Sequence, residues 1–252
     1  MSPFVPVPPP FDAVTAYGIG GLAVLVAAGV VVLVRRHAPA HARRVTGGLL
    51  AWMAITAGAA ASGLLARFDR MPPPMAGLMA LVFVLGLGTG VSGAGASLAR
   101  APLAALVGLQ AFRLPLELLM HRAAVVGIMP PELSYSGYNF DIATGAGALM
   151  LWFLLEAGVA VPRGLLWIWN LWGVLCLGVI TVIAVATSPM VRAFGDDPAH
   201  LNTWVLHLPY VWLPAVLVVV ALAGHVVVTR ALLARGNALT GRAPGSYTPG
   251  VP

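Results

Sequence analysis

Apolar residues run along this chain in blocks of about twenty, separated by short polar or turn-forming segments. A helix needs roughly 20 mostly apolar residues to cross the hydrocarbon core of a bilayer. Seven such blocks are legible, at about 13–34, 46–66, 74–98, 103–127, 142–161, 165–187 and 204–229. The pattern predicts an all-α polytopic membrane protein: one seven-helix transmembrane domain over about 13–235, between tails 1–12 and 236–252. Both tails are rich in Pro or Gly and are expected to be disordered.

Composition agrees with this pattern. Hydrophobic residues make up 60% of the chain and charged residues 9%, against about 25% charged in soluble domains. All 14 basic residues are Arg, which together with the abundance of Ala, Gly and Val suggests a GC-rich bacterial genome and hence a bacterial inner membrane. The net charge of +6 does not imply nucleic-acid binding, because the Arg residues concentrate in short connections where they set topology. Cys176 is the single cysteine and excludes an intrachain disulfide. No basic segment precedes the first apolar block, so no cleaved signal peptide is expected.

Threading the chain through seven crossings puts Arg35, Arg36, Arg43, Arg44, Arg100, Arg163, Arg230, Arg235 and Arg242 on one side. Arg67, Arg70 and Arg192 fall on the other, with Arg122 at its edge. The positive-inside rule makes the first side cytoplasmic, with the N-terminus outside and the C-terminus inside. The topology matches that of rhodopsins and heptahelical receptors, but a retinal Schiff base needs a Lys amine, and this chain has none.

Polar residues within the apolar blocks carry the functional signal. Arg113, Glu117 and His121 stand four residues apart in the fourth block. Four residues advance a helix by about 400°, so the three side chains climb one face. Charges near a bilayer centre cost about 2.5–3.5 kcal/mol each on insertion scales and normally face protein or a wet cavity. Either Arg113 and Glu117 neutralise one another within the helix and pin its neighbours, or Arg113 holds an anionic group while Glu117 exchanges a proton. Pro115, between them, is expected to kink the helix.

The segment after this block ends in Gly137-Tyr138-Asn139-Phe140-Asp141. Asn139 or Asp141 is suited to capping the next helix, and Asp141 to approaching His121 or Arg122. The segment reads either as a capped loop or as a lid. The seventh block opens with Pro209, Tyr210, Trp212 and Pro214, which predicts a bent or interrupted helix. These residues are interfacial aromatics or a gate. An inner set comprises Glu156, Asn170 and His225, with Glu156 placed to associate with Arg163. The expected site is an outward-facing cavity on which Arg113, Glu117, His121, Asn139 and Asp141 converge, closed by the segment around Pro209.

No metal or cofactor is expected; His121 with His207, at similar outer depth, is the one histidine pairing to consider. Gly90-Val91-Ser92-Gly93 resembles the nucleophile motif of rhomboid intramembrane proteases, but the rest of that pattern is missing. Gly86 and Gly90 read more simply as a small-residue packing face.

The residues Phe112 to Glu117, His121, Gly137 to Asp141, Asn170, Pro209, Trp212, Pro214 and His225 together resemble a group of uncharacterised bacterial multi-span membrane proteins. That resemblance implies no activity. The readings open from sequence are small-molecule or proton-linked transport or ligand binding at an Arg–Glu–His site, a membrane-embedded enzyme or enzyme subunit acting on a lipid-like substrate, and a structural accessory subunit. The partners implied are the bilayer, a small-molecule or lipid-like ligand, and a further copy or a membrane complex.

Overall fold

The structure, a computed structural model, describes residues 6–239, with side chains to 235. The described residues form helices and no strands. In chain order these are α1 (Ala13–His37), α2 (Ala42–Ala61), α3 (Pro74–Val91), α4 (Gly93–Leu98), α5 (Leu103–Leu109), α6 (Arg113–Val125), α7 (Ile142–Glu156), α8 (Arg163–Ala186) and α9 (Val219–Leu239). Among the described residues, five stretches are long and apolar enough to cross a membrane: Ala13–His37, Pro74–Val91, Leu103–Val125, Arg163–Ala186 and Leu213–Arg235. α7 is apolar but only 15 residues long. Many large apolar side chains on these helices are exposed, Leu25, Val84, Ile168 and Val182 among them, as a lipid-facing surface requires. Of the tails expected to be disordered, residues 1–5 and 240–252 lie outside the described residues; 6–12 lead without helix into α1, which Asp12 caps, and α9 continues to Leu239.

Several boundaries depart from the apolar blocks for local reasons. The third block is broken at Ser92, whose extended backbone ends α3 and whose hydroxyl caps α4 by accepting from Gly95 N–H at 3.2 Å. That hydroxyl also donates to Thr89 O at 2.7 Å, so Ser92 is occupied as a cap. Gly86 and Gly90 lie against Leu222 and Val226, and this small-residue face lets α3 pack closely on α9.

The seventh block begins with irregular chain; regular helix starts at Leu213 with a π-helical turn, Leu213–Val218. Pro214 stands in the first turn of this helix, where an N–H has no intrahelical partner to lose, and two indole hydrogen bonds join this turn to α2. Trp52 N–H donates to Ala215 O at 2.6 Å, while Trp212 N–H donates to Met53 O at 3.2 Å. This reciprocal pair ties α2 to the start of the last helix.

Three apolar clusters fill the bundle among the described residues, a small one around Leu65, Leu78, Leu206 and Val211 and two larger ones. Of the larger two, one includes Ile19, Leu116, Met120, Leu177 and Val220. The other includes Val34, Val107, Leu151, Trp169 and Val228. Between them the same level of three helices turns polar: Gln110 to Glu117, Asn170 to Gly173, and Gly224 with His225. This level lies near the middle of the stretches Leu103–Val125, Arg163–Ala186 and Leu213–Arg235.

Glycines make that level possible. A Cβ on Gly145 of α7 would collide with the α6 backbone at Arg113 and Leu114, and one on Gly173 of α8 would enter the His225 ring. Gly145→Ala should therefore destabilise the protein by about 1–3 kcal/mol through overpacking. Gly178→Ala, with nothing near its Cβ, should be neutral or stabilising by up to about 1 kcal/mol. Thermal unfolding of the two variants in detergent checks the contrast; equal effects would mean that α6 and α7 are not in close backbone contact.

Candidate functional site: a polar layer inside the bundle

Arg113, Glu117, Asn139, Asp141, Asn170 and His225 are all buried, each at most 5% exposed. α6 presents Arg113 and Glu117 on one face, one turn apart. Arg113 does not pair with Glu117, as the four-residue spacing allowed. Its Nε donates to Asp141 Oδ2 at 2.6 Å and its Nη2 lies 2.5 Å from the same oxygen. The reason is the close approach at Gly145, one turn into α7 from Asp141, which brings the carboxylate to the guanidinium. Asp141 consequently reaches neither His121 nor Arg122. Its other oxygen, Oδ1, is buried with no hydrogen-bond partner among the described residues.

Arg113 Nη1 approaches His225 Nε2 at 2.7 Å. Arginine can only donate, so Nε2 accepts and the imidazole proton sits on Nδ1. It is then given to Asn170 Oδ1 at 3.0 Å, and the Asn170 amide donates to Thr229 Oγ1 at 2.8 Å. One direction of donation therefore runs from Arg113 through His225 and Asn170 to Thr229. The His225 ring also packs at 5.6 Å on Trp169, whose indole donates to Thr144 O at 3.0 Å.

Asn139 joins the other side. Its amide nitrogen lies 3.0 and 2.9 Å from the two Glu117 oxygens and 3.1 Å from Leu133 O, while its Oδ1 accepts from Asp141 N–H at 3.1 Å. Asn139 thus folds the chain into α7 and supplies the neutral donor facing Glu117. Asp141 precedes α7 without a side-chain capping bond, because its carboxylate is committed to Arg113. Among the described residues no cation lies within ion-pair distance of Glu117.

The remaining expected site residues fall elsewhere. His121 accompanies the face of Arg113 and Glu117 but lies outside the buried network, 3.0 Å from Ser134 Oγ and stacked on Tyr135 at 4.5 Å. Glu156 is exposed, and Arg163 donates to Leu232 O at 2.7 Å instead of pairing with it. Asn170 and His225, expected as a separate inner set, belong to the same network as Arg113. Pro209 packs against Gly20 of α1, Tyr210 is buried against Trp204, and Trp212 is tied to Met53. Pro214 alone of these four lines the cavity at this end of the bundle, and that cavity is not lined by Arg113, Glu117, His121, Asn139 or Asp141. The convergence of Arg113, Glu117, Asn139 and Asp141 is therefore direct contact between side chains, without the expected shared opening, because their hydrogen bonds fill the space.

At the same end, Arg122 holds Asp12 at 2.7 and 2.8 Å. Hydrogen bonds from Arg122 and Thr15 keep the Asp12 carboxyl well below the ordinary carboxylate range. Glu132 pairs with His200 at 2.5 Å.

Three further members of this layer, Gln110, Thr144 and Thr229, have no distinctive sequence signal of their own. Gln110 lies one turn before Arg113 and is fully buried, with neither amide atom partnered among the described residues. Thr229 stands four residues after His225, and Thr144 three after Asp141. All three positions follow from helical spacing once the network partners are known. In comparison with known proteins, no family model matches the chain, and no curated protein or solved structure matches it significantly.

Proposed function

We propose that this membrane-embedded chain crosses a bacterial inner membrane seven times and exchanges a proton at Glu117 in support of small-molecule or proton-linked transport. The observation that carries the reading is a charge imbalance. One buried cation, Arg113, already contacts Asp141, while a second buried carboxyl, Glu117, faces only the Asn139 amide. An unpaired ionised carboxylate in such a place costs several kcal/mol, and the inexpensive resolution is a bound proton. Glu117 is then the acid, Asn139 its orienting partner, and the Arg113–Asp141 pair a fixed charge whose field sets how readily the proton leaves. The free Oδ1 of Asp141 offers a second place for a proton or a ligand donor.

Purified protein in liposomes with an internal pH-sensitive dye tests this. An imposed pH gradient should drive proton flux in the parent and in Glu156→Gln, an exposed-residue control, and little in Glu117→Gln. Flux unchanged in Glu117→Gln, or absent from the parent, would remove the reading.

The orientation proposed is N-terminus outside, C-terminus cytoplasmic. It is supported by the arginines gathered at one end of the bundle, where Arg230 donates to Gly90 O, Arg163 to Leu232 O and Arg235 to Ala101 O. A reporter active only in the cytoplasm should work when fused to the C-terminus; activity restricted to periplasmic reporters would overturn the assignment.

A further inference from the structure

A cavity of about 320 Å³ lies at the arginine-rich end of the bundle, between α2 and the helices α1, α3, α5 and α9. Val45, Gly48, Leu49 and Trp52 form its α2 wall, and Val219, Ala223 and Val227 face them from α9. From Arg44 to Trp52 the α2 wall reaches about 12 Å into the bundle by helical rise, and α9 covers the same depth from Val227 back to Val219. This half of α2 is not packed. The buried residues of the helix are Met53, Thr56 and Ala60, all beyond Trp52, and every residue from Ala42 to Trp52 is half-buried or exposed. Gly48, although it lines the cavity, has nothing within 4 Å of where a Cβ would stand. The cavity is therefore not sealed from the bilayer, and the inner face of α2 lacks a partner.

Charge decides what fills it. Arg44 is the one charged residue in this lining, and it stands exposed at the rim. Its guanidinium has no ion pair or hydrogen bond among the described residues. No Asp or Glu occurs from Ala13 to Phe68, while Arg35, Arg36 and Arg43 share the α1–α2 connection with Arg44. Water is a poor occupant of so apolar a wall. A free anion answers Arg44 and leaves the cavity empty; a neutral alkyl chain does the reverse. A zwitterionic headgroup brings a cation of its own among these arginines. An arginine holds a phosphate by charge-assisted hydrogen bonds while its aliphatic stem lies along apolar surface. We infer that this cavity takes one acyl chain of an anionic phospholipid from the leaflet at the arginine-rich end, with the lipid phosphate on Arg44. The chain then lies against Leu49 and ends near Gly224, behind which Gln110 of the polar layer is packed. The inference stands on the cavity, the unpacked half of α2 and the unpaired Arg44, and does not depend on proton exchange at Glu117.

Phosphatidylglycerol and phosphatidylcholine carrying the same diazirine-bearing acyl chain test it. Each is added in trace amount to nanodiscs of neutral lipid that hold the full chain, the sample is photolysed, and labelled residues are mapped by mass spectrometry. The anionic probe should label Leu33, Leu49 and Leu85, which line the cavity, in preference to Leu50 and Ile55, which are exposed on α2. Unlabelled phosphatidylglycerol should displace it and inorganic phosphate should not. The zwitterionic probe should show no such preference. Arg44→Gln should lower cavity labelling by the anionic probe roughly three- to tenfold, the size of one charged contact at a membrane surface. Arg43→Gln removes an equal charge from the same turn, but one that does not line the cavity, and should change labelling little. Gly48→Phe fills the α2 wall and should abolish cavity labelling while leaving Leu50 and Ile55 as they were. Cavity labelling that is equal for the two lipids, that responds alike to Arg44→Gln and Arg43→Gln in variants unfolding at the parental temperature, that survives Gly48→Phe, or that inorganic phosphate displaces would overturn the inference.

Discussion

Replacing Asp141 by Ala should cost about 3–5 kcal/mol of stability, the range for breaking a buried ion pair from one side. The variant leaves the Arg113 guanidinium buried with only His225 Nε2 as a close acceptor, and arginine cannot shed its charge. Asp141→Asn should cost less, since an amide oxygen still accepts from Nε. The informative companion is the double variant Arg113→Met with Asp141→Leu. It removes both charges and places apolar side chains of similar bulk, and comparable replacements of buried pairs are often neutral or better. Unfolding by denaturant in a fixed detergent should show the double variant more stable than Asp141→Ala. If Asp141→Ala unfolds like the parent, the pair is in contact with water or headgroups, and the buried layer does not exist as described.

Asn139→Leu should be nearly as damaging, at about 2–5 kcal/mol, although it conserves volume. One amide serves four groups: two Glu117 oxygens, Leu133 O and the Asp141 N–H. Each buried group left unsatisfied costs about 1–3 kcal/mol, partly recovered by relaxation of the loop. Asn139→Asp is the sharper variant. It keeps the shape, removes the donor that faces Glu117 and adds a third carboxyl beside it. It should be tolerated at low pH, where the carboxyls are protonated, and destabilise the protein as pH rises. Thermal unfolding across pH, beside the parent, measures this. A flat difference would mean that Glu117 and residue 139 are not coupled.

Much of this arrangement was legible in the sequence, but not its pairing. Charges inside an apolar block had to be buried together, and Arg113, Glu117, Asn139 and Asp141 do meet. Spacing within one helix pointed Arg113 towards Glu117, because local geometry is all that a periodicity reports. The partner that won, Asp141, is set by the helix approach at Gly145, and a glycine among many small residues does not announce which backbone it will touch. For the same reason His225 and Asn170 read as a separate inner set. Their depth places them near Arg113 only when α8 packs closely on α9 and α7 at Gly173, against the His225 ring and Thr144. His121 continues the helical face but leaves the network, since α6 carries it beyond the buried level to the serines of the loop. The interrupted last helix was legible from Pro209 and Pro214. Its anchoring by Trp52 and Trp212 was not, because both bonds join residues more than 150 positions apart.

The central claim is that Glu117 carries an exchangeable proton within the layer. Infrared difference spectroscopy of the protein in lipid, recorded across a pH step with and without deuterium exchange, tests it most directly. The account predicts a protonated-carboxyl carbonyl band that shifts on deuteration, changes with pH, disappears in Glu117→Gln and persists in Glu132→Gln. A spectrum with no such band, or one in which the band survives Glu117→Gln, would contradict it.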